Sequence, residues 1–292
     1  IMYGDFMTNI VYSIYIINDD ETISDKHKDT KWQLKNNLYR LTEVKKQYAE
    51  KCGAEFKLFY ADEYWEEFED KYRDYKFDTI NLYKIHLFEK LSKEYDNVLY
   101  LDLDVIPNTD ESFFDKFDMN KINVYAPEAT IQNTWKRKEI IRYNTVKATF
   151  NEIISLKDKY DMYVKAVCKR AMLATNDIYD TNYFIANTAI LGANKKAIKN
   201  IKFTDNLDEM FKVLNKAKDE EFYGETISKL FFPNNEVFFH YLLDKNNIDW
   251  FNLPKEWHTY YLRNDVIGPE VNDAKMIHLI NKRFEELWTN LK

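Results

Sequence analysis

Glycine and proline are scarce in this chain of 292 residues, at five each. So few glycines exclude a phosphate cradle built from backbone amides, and neither GxGxxG nor GxxxxGK[ST] occurs. A phosphate group bound here has to be held by side chains or through a metal. Cysteine is almost missing too: Cys52 and Cys168 stand alone, outside any CxxC pair, which excludes a disulfide framework and suits a reducing compartment. No stretch approaches the roughly 20 apolar residues that cross a bilayer. The longest early one, Ile10 to Ile17, has no basic flank before it and runs into Asn18-Asp19-Asp20-Glu21, so it reads as a strand and not as a signal peptide. A soluble, cytoplasmic protein is the expectation. Basic charge is in deficit, with 42 Lys and Arg against 49 Asp and Glu and a net charge of −7, so a nucleic-acid partner is not expected. A local basic pocket or a bridging metal remains compatible with one small phosphate ligand. HExxH and GxSxG are also absent.

What the chain has in quantity is apolar and aromatic side chains, 45% and 16% of the residues, enough for a substantial core and too many for global disorder. The first half alternates strand and helix patterns. Ile10 to Ile17 is β-branched and aromatic. From Trp32 to Cys52, apolar residues at 32, 34, 38, 41, 44, 48 and 52 follow helical spacing, with Gly53 as the stop. Glu55 to Tyr60 reads as a strand and Asp78 to Tyr95 as a helix. Val98 to Ile106 reads as a third strand closed by Pro107, and Ile122 to Ala126 as a fourth. This βαβ grammar predicts a parallel sheet. In the second half, 144–175 reads as helical, Tyr183 to Leu191 as a strand ending at Gly192, and Asn235 to Lys245 as a helix. Short strands are expected at Ile248 to Leu253 and Lys275 to Ile280, then an amphipathic helix with Phe284, Leu287 and Trp288. No repeat or Pro/Gly/Ser-rich hinge divides the chain, so one α/β domain over 1–292 is expected, its second half a mixed extension.

The strongest chemical signal is Asp102-Leu103-Asp104 at the end of an apolar strand. Alternate strand residues share a side, and two carboxylates buried there without partners would be costly. At the C-terminal end of a parallel strand they can meet a hard divalent cation, Mg²⁺ or Mn²⁺, which takes oxygen ligands and shares them with substrate phosphates. The competing reading is a solvated loop or a helix cap.

The stretch from Phe77 to Leu91, with Asp96-Asn-Val-Leu-Tyr-Leu-Asp-Leu-Asp-Val-Ile-Pro107, resembles glycosyltransferases of the GT-A fold, nearest to the glycogenin-like family 8 and related viral enzymes. The resemblance spans about residues 8–125 and continues, weaker but in order, through 183–282. It implies a Rossmann-like nucleotide-binding sheet with a mixed C-terminal extension, divided into a nucleotide half (1–125) and an acceptor half (126–292). It also implies a metal-dependent transfer of a sugar from a nucleoside-diphosphate sugar, a UDP-sugar favoured, to a glycan or protein hydroxyl. If the source is viral, the setting is the host cytoplasm.

The resemblance assigns further residues. Asp102 and Asp104 hold the metal, with Asp102 ligating it or binding the ribose. His278 is the third ligand and Lys282 meets the phosphates, although the glycine that usually separates such a His and Lys is missing. Lys84 lies where the family places a basic residue near the donor; an ordinary solvated helix lysine is the other reading. Asn187-Thr188-Ala189 resembles the turn whose Asn contacts the sugar, with Ala189 in place of Gly. Asn235-Glu236 stands where the family tends to carry Asp-Gln or Asp-Glu facing the transferred sugar, with the first carboxylate missing here, and helix capping is the alternative for both. Tyr12 and Tyr15 can flank the base or serve the core. Asp180, Glu225 and Glu236 are conceivable bases for an inverting reaction, whereas family 8 points towards retention. Two other functions compete. One is a haloacid-dehalogenase-type phosphatase using the first Asp as nucleophile, although that motif sits on a first strand. The other is a nucleotide-sugar binder without turnover. His27, His86, His240 and His258 form no metal-spaced cluster.

Overall fold

A computed structural model of the chain describes residues 8–16, 25–75, 77–127, 164–179, 181–219, 228–261, 272–280 and 282–290. Asp180, Glu225 and the helical pattern from 144 to 163 lie outside them.

β1 (Asn9–Ile14), β2 (Glu55–Phe59) and β3 (Asn97–Leu101) are joined by α1 (Asp25–Lys51) on one crossover, and by α2 (Glu63–Tyr72) and α3 (Phe77–Leu91) on the other. β1 pairs in parallel with both β2 and β3. Both faces of β1 and β3 are buried, whereas β2 at the sheet edge is only half-buried. Ile10, Tyr12, Val98 and Tyr100 pack with α3 residues Leu82, Ile85 and Phe88. Val11, Leu99 and Leu101 pack with α1 residues Tyr48, Ala49 and Cys52 on the other side. Burial on two faces is why the strands read as unbroken apolar runs. α1 ends where Gly53 takes a positive φ of 61°, a left-handed stop that glycine adopts without strain.

The sheet continues through β6 (Asn187–Asn194), β5 (Ile122–Tyr125) and β7 (Trp250–Asn252), in the order β2-β1-β3-β6-β5-β7. β6 runs antiparallel to both neighbours, so the sheet is mixed and only β2-β1-β3 and β5-β7 keep the expected parallel pairing. The α/β class and the mixed extension hold. Gly192 does not end its strand. It sits inside β6, where a Cβ would run into the Phe113 ring, so its missing side chain lets that ring lie against the sheet. Phe113 belongs to the one-turn helix α4 (Phe113–Lys116).

Helical residues 164–174 form α5; α6 (Lys195–Lys199), α7 (Phe203–Asp219) and α8 (Asn235–Lys245) follow, with α7 and α8 packed against the α3 side of the sheet. The expected third strand is in fact two. β3 stops at Leu101, and β4 (Val105–Pro107) belongs to a separate three-stranded sheet with β9 (Met276–His278) and β8 (Thr259–Tyr260). α9 (Phe284–Asn290) closes that side by burying Phe284, Leu287 and Trp288. Among the described residues no helix is long and apolar enough to cross a membrane.

Two stability outcomes follow from this packing. Gly192→Ala is expected to cost about 1–3 kcal/mol by overpacking against Phe113, read as a lower urea midpoint; an unchanged midpoint would show that the ring has another place to go. Burial, aided by Lys90 and Lys93, pulls His86 down to about 4, and burial with Lys169 pulls His240 well below its ordinary value. The unfolded chain takes up these protons near pH 6.5 and the folded chain does not. Stability should therefore be full above about pH 6.5 and fall towards pH 4. His86→Gln should flatten the plot of urea midpoint against pH, and an unaltered slope would contradict this.

Candidate metal and donor site

Asp102, Leu103 and Asp104 are turn residues and not alternating strand residues. The Asp102 N–H still donates to Ala189 O of β6 at 2.8 Å, the last bond of that ladder. The Val105 N–H then donates back to Asp102 O at 2.9 Å, and Leu103 buries its side chain among Ile106, Ile277 and Leu279. The Leu279 N–H donates to Asp104 O at 2.9 Å, and β4 pairs with β9 so that Val105 stands opposite His278. The second sheet thus brings a histidine 174 positions away in sequence to the tip of β3. Asp102, Asp104 and His278 each offer a ligand atom, all within 4.8 Å of one another. Two carboxylates and one imidazole are a donor set for Mn²⁺ or Mg²⁺.

Each carboxylate already has a cationic partner. Lys84 Nζ donates to Asp102 Oδ1 and Oδ2 at 3.2 and 3.4 Å, and the Tyr100 hydroxyl donates to Oδ1. Lys282 Nζ donates to Asp104 Oδ2, and His278 Nε2 lies 3.4 Å from the same oxygen. Burial pushes the Asp104 carboxyl up, but Lys282 and His278 outweigh it and hold the group well below the usual carboxylate range. Lys84 is no solvated helix lysine, being buried under Tyr100. Lys282 has a positive φ of 56°, a backbone state that costs a non-glycine residue about 1 kcal/mol or more, and it stands where a glycine was missed in the sequence.

The remaining sequence-predicted residues separate into two groups. Tyr12 is wholly buried, packed on Phe59 and Tyr100, and its hydroxyl donates to Lys84 O at 2.5 Å. It is a core residue beneath α3 and presents no face to a base. Tyr15 is half-buried, edge-on to Tyr60 at 6.1 Å between centroids. Asn187 Oδ1 accepts the Ala189 N–H at 3.0 Å, leaving its amide NH₂ as the donor group for a ligand. The cap of α8 is Asn234, not Asn235: Asn234 Oδ1 accepts from the Glu236 and Val237 amides at 2.8 and 3.2 Å. Asn235 is buried, and its amide donates to Thr188 Oγ1, which ties α8 to the start of β6. Glu236 Oε2 pairs with Lys165 Nζ at 2.7 Å, and its charge reaches Tyr260, whose phenol is pushed up mainly by burial.

Four residues escaped the sequence reading. His258 Nε2 lies 3.1 Å from His278 Nδ1, so His258 joins the cluster from which its spacing excluded it; the parallel β8–β9 pairing brings the two together. Its ring stacks on Tyr125 and meets Tyr260 edge-on, and burial first, then the His278 charge, pushes it well below its ordinary value. Tyr100 and Tyr260 frame the carboxylates and His278, respectively. Lys45 is fully buried in α1, and its Nζ donates to Leu103 O at 2.8 Å. Burial draws its ammonium down to about 7, against the opposing charges of Asp104 and Asp102. The one signal available was a charged residue on the buried stripe of a helix, between Leu41 and Tyr48.

No protein-family model matches the chain, and no curated protein matches it. Among solved structures it is similar to a glycosyltransferase involved in glycosylating the major capsid of PBCV-1, at 10% identity, over 96% of this chain and 99% of that one, with a TM-score of 0.41. Mouse xyloside xylosyltransferase 1 aligns at 13% identity over 94% and 98%, with a TM-score of 0.45. The galactosyltransferase LgtC, in complex with donor and acceptor sugar analogs, aligns at 12% identity over 97% and 95%, with a TM-score of 0.41. Scores below 0.5 transfer nothing from those proteins to this one.

Because Lys282 and a divalent cation would both address Asp104, Lys282→Met is expected to raise the affinity for Mn²⁺ alone on the order of tenfold, about 1.4 kcal/mol. Electron paramagnetic resonance titration of free Mn²⁺ measures this, and a weaker binding variant would show that Lys282 does not compete.

Proposed function

We propose that the chain is a divalent-metal-dependent glycosyltransferase that moves a sugar from a nucleoside-diphosphate sugar, a UDP-sugar favoured, to a hydroxyl of a glycan or protein acceptor. The observation that carries this is the convergence of Asp102, Asp104 and His278 within 4.8 Å at the C-terminal end of β3. In an open α/β sheet the ends of the parallel strands are where ligands bind. The donor set fits the metal: two hard oxygens and one imidazole, with His258 on the far nitrogen of His278 as such ligands require. When bound, Mn²⁺ or Mg²⁺ supplies Lewis-acid neutralisation of a diphosphate leaving group.

The chain's own residues do the rest. Asp102, Asp104 and His278 hold the cation. Lys282 and Lys84, which now pair with those aspartates, are the cationic groups nearest the place where phosphate oxygens belong. With no glycine cradle available, side-chain ammoniums are the donors the sequence provides. Tyr15 lies at the end of β1 on the nucleotide half, as a flank for the base. Asn187 and Glu236 serve the sugar and acceptor side: Asn187 through its amide NH₂, and Glu236 as a carboxylate kept in place by Lys165. Positioning an acceptor hydroxyl against the anomeric carbon is the remaining requirement. The single catalytic unit spans 1–292, and two buried thiols suit a cytoplasmic setting.

A screen of UDP-, GDP- and CDP-sugars with Mn²⁺, read by mass spectrometry, tests the reaction, and calorimetry with UDP and GDP with and without Mn²⁺ tests binding. Metal-dependent binding with hydrolysis or transfer of one donor sugar is expected, and Asp104→Ala should abolish the metal-dependent part. Unchanged affinity in Asp104→Ala refutes the metal site. Binding without turnover would make the chain a nucleotide-sugar binder, and phosphate release from simple esters would make it a phosphatase.

A further inference from the structure

Each residue of the Asp102-Leu103-Asp104 turn meets a different lysine. Lys84 of α3 takes the Asp102 carboxylate, and Lys282, after β9, takes the Asp104 carboxylate. Lys45 of α1 takes the Leu103 carbonyl. The first two address the side chains that would bind a cation. The third addresses the backbone between them, from the opposite side, and it has no exposed surface.

A fully buried ammonium is expensive, several kcal/mol for a typical ion even after relaxation. Leucine or methionine would fill the same position on α1 at no such cost, since its neighbours on the buried stripe, Leu41 and Tyr48, belong to two apolar clusters. What Lys45 supplies and an apolar residue cannot is a donor for the Leu103 carbonyl. Leu103 has left the β3–β6 ladder, which ends at Asp102, and the next backbone bonds are accepted by Asp102 O and Asp104 O. Without Lys45 the middle carbonyl of the turn is a buried acceptor that lacks this bond, at a cost of about 1–3 kcal/mol. That carbonyl's orientation sets the peptide planes on either side of Leu103, and therefore the directions in which the Asp102 and Asp104 side chains leave the backbone.

We infer that Lys45 is a positioning residue for the metal site: its buried ammonium fixes the Leu103 peptide so that Asp102 and Asp104 converge on His278. The inference rests on the metal-site reading above. It makes a claim opposite in sign to simple electrostatics. As a mere positive charge near the cation, Lys45 would weaken metal binding and its removal would strengthen it. As a positioning group, its removal weakens binding.

The test is Mn²⁺ binding by electron paramagnetic resonance on Lys45→Met and Lys45→Gln, with circular dichroism and urea unfolding to confirm that each is folded. Lys169→Met is the control. Lys169 is also fully buried and bonds Asn182, Phe184 O and Asp244 away from the turn, so its loss should lower stability without moving Mn²⁺ affinity. In Lys45→Met the affinity should fall about 10- to 100-fold, the range seen when groups behind a metal ligand are removed. Lys45→Gln, which keeps a polar tip and serves where the methionine variant does not fold, should fall in the same direction. Unchanged or tighter binding in a folded Lys45 variant overturns the inference while leaving the metal site standing. Failure of the wild-type chain to bind Mn²⁺ overturns the metal reading itself.

Discussion

Two carboxylates held a few ångströms apart, at a turn walled by Leu103, Tyr100 and the second sheet, set the terms for everything around them. With their nearest oxygens no more than 4.8 Å apart, their repulsion is about 3 kcal/mol or more at an effective dielectric of about 20. Solvent cannot fully relieve it, because Asp104 is buried. The chain relieves it with ammonium groups drawn from three distant places: α1, α3 and the segment after β9. Those elements converge on one turn because each is committed by burial. α1 and α3 cover opposite faces of β1 and β3, and β9 is pinned to β4 by its ladder. The carboxylate pair is thus a consequence of the core, and the lysines are the condition under which the core tolerates it.

The same constraint explains why the strand breaks. Were β3 to run on through Ile106, Asp102 and Asp104 would lie on one face of a doubly covered sheet, with no room for cations or water. Ending the ladder at the Asp102–Ala189 bond turns the backbone and starts β4 in another sheet. His278 comes to the turn from β9, and His258 from beside β8 backs it at 3.1 Å. His278 therefore has a defined partner for each ring nitrogen, Asp104 at one and His258 at the other. An imidazole so held loses little freedom on accepting a ligand.

Much of this was legible in the sequence, and the rest was hidden for identifiable reasons. Periodicity placed α8 at Asn235 to Lys245 and the C-terminal helix with its three apolar anchors, because their buried stripes are uninterrupted. Asp102, Asp104 and His278 were named from a short motif and a resemblance, and they do meet. What periodicity cannot carry is a partner in another element. The apolar pattern of α1 passed over Lys45 because a lysine is counted as polar wherever it falls, and only the fold shows it on the buried face. Tyr12 carried two readings because an aromatic on a first strand suits both, and burial on each side of the sheet decides for the core. Gly192 looked like a stop because a glycine after a strand usually is one; the Phe113 ring that occupies its missing side chain comes from 79 residues away. His258 seemed isolated because twenty residues separate it from His278 in sequence, while one parallel strand pair separates them in space.

To hold the diphosphate of the proposed donor, a chain with a net charge of −7 would have to make its attraction locally. The usual local device is a glycine-rich loop whose amides point at the anion, and five glycines leave no room for one. Here the positive groups are side chains, and they rest against the two aspartates. That arrangement keeps the ammoniums desolvated and oriented in advance, which would lower the entropy lost on binding a phosphate. On the proposed function, cation and anion would not be independent guests: a cation on the aspartates would displace the lysines, and displaced lysines would favour an anion beside them. By linkage the preference is mutual, so each guest should tighten the other by the same factor. A site built this way would gain selectivity for a paired ligand, a metal with its diphosphate, over either one alone.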